Sequence, residues 1–146
     1  MAVQARVVSL GVQAALVAST GRSCGYGAAP LAADKPTGNT IPYCVLYPLG
    51  GTSGDGPPFG DADGDARMIY QVTSIGTTAE QAEWMADKVR TALLGRTSVG
   101  AFVTPITAVG HVIIGRELDK DEGISVASGV YSYVQRFVLH VTTPGS

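Results

Sequence analysis

Charged side chains are scarce in this sequence. The sequence contains 10 Lys and Arg residues and 12 Asp and Glu residues, so only 15% of the 146 residues carry a charge. Typical soluble domains carry a charge on about a quarter of their residues. Lys and Arg never cluster, which argues against a protein that grips a nucleic-acid backbone. So few charges also predict that another chain covers part of the surface, as in an oligomer.

Residues that hold metals or perform catalysis are few as well. Cys24 and Cys44 stand twenty positions apart without a CxxC spacing, and adding His111 and His140 gives no zinc-binding pattern. The sequence has no GxSxG, P-loop or HExxH motif, and no GxGxxG that opens a helix. We therefore expect reduced cysteines, no metal or other cofactor, and no enzymatic activity.

The most apolar stretch is residues 2–20, which is too short and too interrupted to span a bilayer. It fits either a cleaved secretion signal or a first helix. Its spacing favours a helix that lies on a sheet. The apolar side of that helix would consist of Val3, Val7, Leu10, Ala14 and Val17.

The best-defined pattern is a strand followed by a helix, over Met68–Leu94. The strand alternates an apolar face with a mixed face and ends at Gly76. Thr77 and Thr78 are alternative N-caps of the helix, each with a capping-box partner three residues later. Gly95 is the expected stop. The apolar side of the helix would consist of Ala82, Met85, Ala86, Val89, Ala92 and Leu93.

A long Gly- and Asp-rich segment, Leu49 to Ala66, separates two predicted strands and is expected to form an extended hairpin loop. Its candidate contact residues for a neighbouring subunit are Phe59, Asp61, Asp63 and Asp65. The aspartates do not fit a calcium loop of the EF-hand type. Counted from Asp61, the positions that need Gly and a carboxylate hold Ala66 and Val72.

The remaining elements follow from shorter patterns. Residues 21–41 are expected to be irregular, and Pro42 to Pro48 a short strand near a sheet edge. His111 to Arg116 is a predicted strand, and Glu117 to Gly123 a charged turn. The last strand, Tyr131 to Thr142, would turn four side chains to the core. These are Tyr133, Phe137, Leu139 and Val141.

These elements predict one α+β domain over residues 1–146. It would have a mixed or antiparallel sheet of about four strands, with two helices packed on one face. Trp84 lies on the flank of the second helix, either as a core-edge aromatic or as an anchor between subunits. Further candidate contacts between subunits are Arg116, Asp119, Asp121 and Arg136.

Three parts of the sequence, the first of them made of two separate segments, resemble the tail terminator (tail completion) proteins of long-tailed, siphovirus-type bacteriophages, as found in phages of actinobacterial hosts. The first is Pro42 to Gly51 followed by Gln71 to Gly76, the second is Glu80 to Arg90, and the third is Arg136 to Thr142. The order of these stretches carries the resemblance more than any one of them does. It covers most of the chain from Pro42 onward.

The resemblance implies a structural virion protein made in the host cytoplasm. Such proteins form a homo-oligomeric ring, hexameric in the family, which caps the head-proximal end of the tail tube and stops tube polymerisation. Their partners are the tail tube protein and the head–tail connector (stopper) protein. DNA passes through the lumen without sequence-specific binding, and no membrane is involved.

Two alternatives stay open at this point. One is another neck or tail protein, either a connector subunit or the tube protein itself. The other is an exported domain that binds a small ligand and uses the N-terminal stretch as its signal.

Overall fold

The computed structural model describes residues 3–28, 31–32, 35–36, 42–54 and 64–143. Nine elements follow one another along these residues. In chain order they are α1 (Ala5–Thr20), β1 (Cys24–Tyr26), β2 (Leu31–Ala32), β3 (Lys35–Pro36), β4 (Tyr43–Gly54), β5 (Gly64–Gly76), α2 (Ala79–Leu94), β6 (Val112–Ala127) and β7 (Val130–Thr143).

The main sheet has five strands in the order β1-β4-β5-β7-β6, and β2 and β3 form a separate short pair. β1 runs parallel to β4, and the other neighbours are antiparallel. The α+β class and the mixed sheet are thus confirmed. The expected count of four strands is wrong because Cys24–Tyr26, within a segment predicted to be irregular, adds a fifth.

Helix α2 forms as its sequence predicts. Thr78 is the N-cap, and its hydroxyl accepts a hydrogen bond of 3.1 Å from the backbone N–H of Gln81. The Gln81 side chain in turn accepts from the N–H of Thr77 at 2.8 Å, so the two threonines share the cap. At Gly95 a Cβ would lie 2.4 Å from the carbonyl oxygen of Thr91, so only glycine fits this stop.

Helix α1 is present, but its buried side differs from the predicted one. Val8, Val12 and Leu16 are fully buried, whereas Leu10 and Val17 are exposed. Most positions around this helix are apolar, so sequence periodicity barely distinguishes one side from another. Packing decides the side instead, since α1 lies against α2 and against the loop that holds Thr107.

The antiparallel hairpin of β4 and β5 confirms the predicted pairing across the Gly-rich segment. Its ladder runs from Tyr43 opposite Ile75 to Gly54 opposite Asp65. The predicted loop over 49–66 is therefore shorter, because strand pairing occupies both of its ends. Phe59, Asp61 and Asp63 lie outside the described residues.

Strand β6 corrects another prediction. Glu117 to Gly123 is not a turn but the middle of this 16-residue strand. The chain reverses later, at Ser128 and Gly129, whose φ angles of 51° and 77° are those of a two-residue hairpin turn. β6 is an edge strand with both faces largely exposed, so its sequence lacks the apolar alternation that marks half-buried strands.

Both helices lie on one face of the sheet, which confirms the predicted packing. The core between them contains Met68, Tyr70 and Val72 of β5 and Phe137, Leu139 and Val141 of β7, as predicted. Tyr133 lies on the same face but is only partly buried, so it does not join this core.

Neither described helix covers the other face, which we call the open sheet face. Its side chains come from alternate positions of the four long strands. They include Tyr43, Val45, Tyr47, Arg67, Ile69, Gln71, Thr73, Ile75, Glu117, Lys120, Val134, Arg136, Val138 and His140.

Candidate assembly surfaces

The open sheet face is partly apolar and partly basic. Tyr43, Tyr47, Ile69 and Val134 are half-buried by their own neighbours along and across the strands. Such a face is neither the fully polar surface of a solvated sheet nor the closed interior of a core. It has the mixed character that contact with another protein requires.

Arg136, one of the predicted contact residues, lies in the middle of the open sheet face. Gln71 of β5 and Lys120 of β6 are its neighbours across the sheet. The Arg136 Nε atom is buried and has no hydrogen-bond partner among the described residues. A buried guanidinium nitrogen without an acceptor is costly, so the Arg136 Nε atom is unsatisfied within the described part of the chain.

The other ionisable groups of this face are only partly neutralised. Lys120 lies 3.4 Å from Glu122, and His140 lies 3.3 Å from Glu117. Both pairs are largely exposed and so contribute little to stability. Arg67, opposite His140 on β5, has no ion pair within the described part of the chain.

Three carboxylates lie near enough to Tyr133, on the helix side of the sheet, to affect its ionisation. We call Glu83, Asp87 and Asp121 the acidic cluster. A hydrogen bond with Asp121 and partial burial raise the pKa of Tyr133 to about 12, and Glu83 and Asp87 add negative charge nearby. The sequence singled out Asp121 alone. Glu83 and Asp87 stand one helical turn apart on α2, which is the only sequence signal for a shared face.

Arg116, another predicted contact residue, makes its observed contacts within the chain. Its guanidinium lies 4.2 Å from the Phe102 ring and donates to the carbonyl oxygens of Thr104 at 2.8 Å and Leu93 at 3.3 Å. Burial lowers the pKa of Arg116, as does the nearby charge of Arg96. These contacts join the end of α2, the following loop and β6.

Trp84 is 44% exposed on α2. The ammonium group of Lys88 lies 5.3 Å from the centre of its ring. On the other side Trp84 borders an open depression of about 280 Å³, together with Pro42, Thr78, Glu80 and Gln81. The exposed part of the indole is available to a neighbouring molecule.

The remaining predicted contact residues are Asp119 and Asp65. Asp119 is exposed on β6 at a register shift between Leu118 and Lys120. Asp65 lies in β5, where it pairs with Gly54 and Thr142. Both therefore belong to strands rather than to the turn and the loop in which the sequence placed them.

The loop between α2 and β6 exposes valines. Val99 is 88% exposed and Val109 is 85% exposed. Val112 and Ile114, at the start of β6, are exposed as well. Sequence reasoning did not single out these four exposed branched side chains, because such residues are typical strand formers.

The cysteines form a buried pair rather than a metal site. Cys24 and Cys44 are in register on β1 and β4, and both are free thiols. The hydrogen bond with Cys24, together with burial, raises the pKa of Cys44, so this thiol stays protonated. Within the described ranges, no group of three or more His, Cys, Asp or Glu side chains is arranged to hold a metal. Across the same ranges, neither helix is long and apolar enough to cross a membrane.

Comparison with known proteins gives a likeness of fold. No protein-family model matches the sequence, and no curated protein matches it. Among solved structures, a chain in the virion of a native gene transfer agent (GTA) particle is similar, with a TM-score of 0.55 and 18% sequence identity. The likeness covers 94% of this chain and 95% of that chain, so the shared fold extends over nearly all of both.

Proposed function

We propose that this protein is a structural virion protein that forms a ring at the head-proximal end of a phage tail tube. There it stops tube polymerisation and joins the tail to the head connector. The observation that carries the proposal is the fold shared with a chain of a virion particle over nearly the full length of both. The resemblance of residues 42–142 to tail terminator proteins supplies the specific role.

The surfaces of the protein support a role in assembly. One face of the sheet has no described helix on it, and the loop between α2 and β6 exposes Val99 and Val109. A ring subunit has to contact two neighbours, the tube below and the connector above. Several separate surfaces of mixed polarity suit that arrangement better than one deep pocket does.

The charge distribution is compatible with DNA passing through such a ring. The 10 Lys and Arg residues are scattered along the sequence, and the fold brings Lys120 and Arg136 side by side on the open sheet face. A lumen through which DNA slides must not hold the phosphate backbone tightly, because each neutralised phosphate adds to the affinity.

Deletion of the gene in the phage that encodes it tests this role. Without a terminator, tubes should grow beyond their normal length and fail to join heads, and a plasmid copy of the gene should restore normal particles. Electron microscopy of the lysate measures tail length and attachment. Normal, infectious particles from the deletion strain would refute the proposal.

The same experiment separates the alternatives. Loss of a tube protein should leave no tails, whereas loss of a connector subunit should leave detached tails of normal length. An exported binding domain should be absent from purified particles and present in the medium. Particle proteomics together with tail-length measurement therefore distinguishes all four roles.

A further inference from the structure

We propose that the acidic cluster of one copy docks on the open sheet face of a second copy, with Arg136 as its main partner. The first observation is that the two surfaces carry opposite charge. Glu83, Asp87 and Asp121 surround Tyr133 on the helix side, while Arg136 and Lys120 are neighbours on the other side. The inference needs two copies of this chain, and it rests on the proposed function only for the closure of those copies into a ring.

The second observation is that neither the acidic cluster nor Arg136 forms an ion pair with another described residue. The ion pairs between described residues are Lys120 with Glu122 and His140 with Glu117. The acidic cluster and Arg136 take part in neither pair. The buried Nε of Arg136 is a donor without an acceptor among those residues. Arg136 as a whole is only partly buried, so a carboxylate from a second copy could pair with its guanidinium and would also relieve the repulsion within the acidic cluster.

The third observation concerns apolar surface. On the open sheet face Arg136 lies next to the half-buried Val134 and the fully buried Val138, and the half-buried Ile69 is paired with Val138 across the sheet. On the other surface Tyr133 is partly buried among the carboxylates. Each charge therefore has apolar groups beside it. Docking would exclude water from both, which strengthens the charge pairing.

The two surfaces lie on opposite faces of one sheet, and this decides the geometry of the contact. A symmetric dimer through the open sheet face would bring two Arg136 side chains together, and one through the acidic cluster would bring carboxylates together. Only the head-to-tail contact pairs opposite charges. A repeated head-to-tail contact forms a ring where its rotation closes and an open helical filament where it does not, and the proposed function requires the ring.

Strand addition is the competing way to join two sheets, and β6 is the exposed edge at which it would occur. β6 has three register shifts against β7, beginning at Ile113, Leu118 and Asp121. Such irregularities bend an edge strand and interrupt its row of free N–H and C=O groups. Contact through side chains of the two faces is therefore favoured over a continuous sheet.

Charge reversal tests the contact. Arg136→Glu and the double variant E83K/D87K should each weaken self-association of the purified protein by at least about tenfold, measured by sedimentation velocity over a concentration series. The variant R136E/E83K/D87K should regain association, because every contact again pairs opposite charges. Arg6→Glu, an exposed charge reversal of the same size on α1, should associate like the unmodified protein.

Mixing makes the test sharper. In a head-to-tail contact, the R136E chain and the E83K/D87K chain complement each other in both directions. An equimolar mixture should therefore assemble with the two chains alternating, although neither assembles alone. Native mass spectrometry counts the chains in the product. Circular dichroism and thermal melting of each variant check that loss of association is not loss of folding.

Three results would overturn the inference. The unmodified protein could stay monomeric at every concentration tested. The R136E variant could associate normally. The mixture of R136E and E83K/D87K chains could fail to assemble. The proposed function fails separately. If the variants behave as expected but gene deletion leaves tails normal, the contact stands and the terminator role is wrong. If R136E monomers still terminate tails, the contact is wrong and the role stands.

Discussion

Removal of the Arg116 side chain should destabilise the monomer through the contacts of one guanidinium. Arg116 donates to the carbonyl oxygens of Thr104 at 2.8 Å and Leu93 at 3.3 Å, and it stacks on Phe102. Thr104 is buried, so Arg116→Ala leaves its carbonyl without this donor. The Leu93 carbonyl lies at the C-terminal end of α2, where a cation is favoured.

The expected loss of stability follows from the energies of these hydrogen bonds and of the contact with the Phe102 ring. A hydrogen bond from a charged donor contributes about 1.5–3 kcal/mol, and a guanidinium on an aromatic ring about 0.5–2 kcal/mol. The bond to Leu93 is long, and the lowered pKa of Arg116 shows that its burial costs solvation of the charge. We therefore expect the free energy of unfolding to fall by about 2–3 kcal/mol, and Tm by about 5–10 °C.

Urea denaturation of the purified protein measures this loss, with Arg96→Ala as the matched control. Arg96 stacks on the same ring at 4.1 Å and donates to the Gly100 carbonyl at 2.7 Å, but it is exposed. Its removal should cost less than about 1 kcal/mol. Equal midpoints for Arg116→Ala and the unmodified protein would refute this reasoning. Weaker association at unchanged stability would instead make Arg116 a subunit contact.

Trp84→Ala should lower the free energy of unfolding by only about 1–2 kcal/mol, less than the loss of a fully buried Trp, because the side chain is 44% exposed. A larger loss in thermal melting would show that Trp84 acts as a core residue. The pKa of Tyr133 is raised from 10.0 to about 12, so the folded protein holds this proton more tightly than the unfolded chain. The free energy of unfolding should therefore fall as pH rises from about 10 to about 12, and Tyr133→Phe should reduce that fall in urea titrations. Replacement of residues 54–64 by a short Gly-Ser turn should leave Tm nearly unchanged, because the β4–β5 ladder from Tyr43 to Ser53 remains. The same replacement should stop the protein from capping tubes in an assembly assay. Tails of normal length would show that the loop is not needed for capping.

The local elements with strong patterns were predictable from sequence alone. The caps and the apolar side of α2 lie within one stretch of chain, so neighbouring residues specify them without help from the rest of the fold. The alternation of Met68, Tyr70 and Val72, and of Phe137, Leu139 and Val141, identified the half-buried faces of β5 and β7. These faces also implied helices on one side of the sheet.

Three other features depended on tertiary packing. Strand β1 has only three residues, too few to show a sequence pattern. It forms a strand because it pairs with the edge of β4, from Cys24 opposite Cys44 to Tyr26 opposite Leu46. The buried side of α1 is set by α2 and the Thr107 loop, since its own sequence is apolar nearly all round. The middle of β6 resembles a charged turn, and pairing with β7 makes it a strand.

The candidate surfaces divide in the same way. Sequence reasoning named Asp121 and Arg136 individually, from charge and strand position. It did not reveal that Glu83 and Asp87 join Asp121 around Tyr133, because these residues meet only when α2 lies across β6 and β7. Alternation along the last strand did place Arg136 on the face opposite Tyr133, as the structure has it. Residue types fix which charges exist, whereas the register of the strands and the packing of α2 decide which of them share a surface.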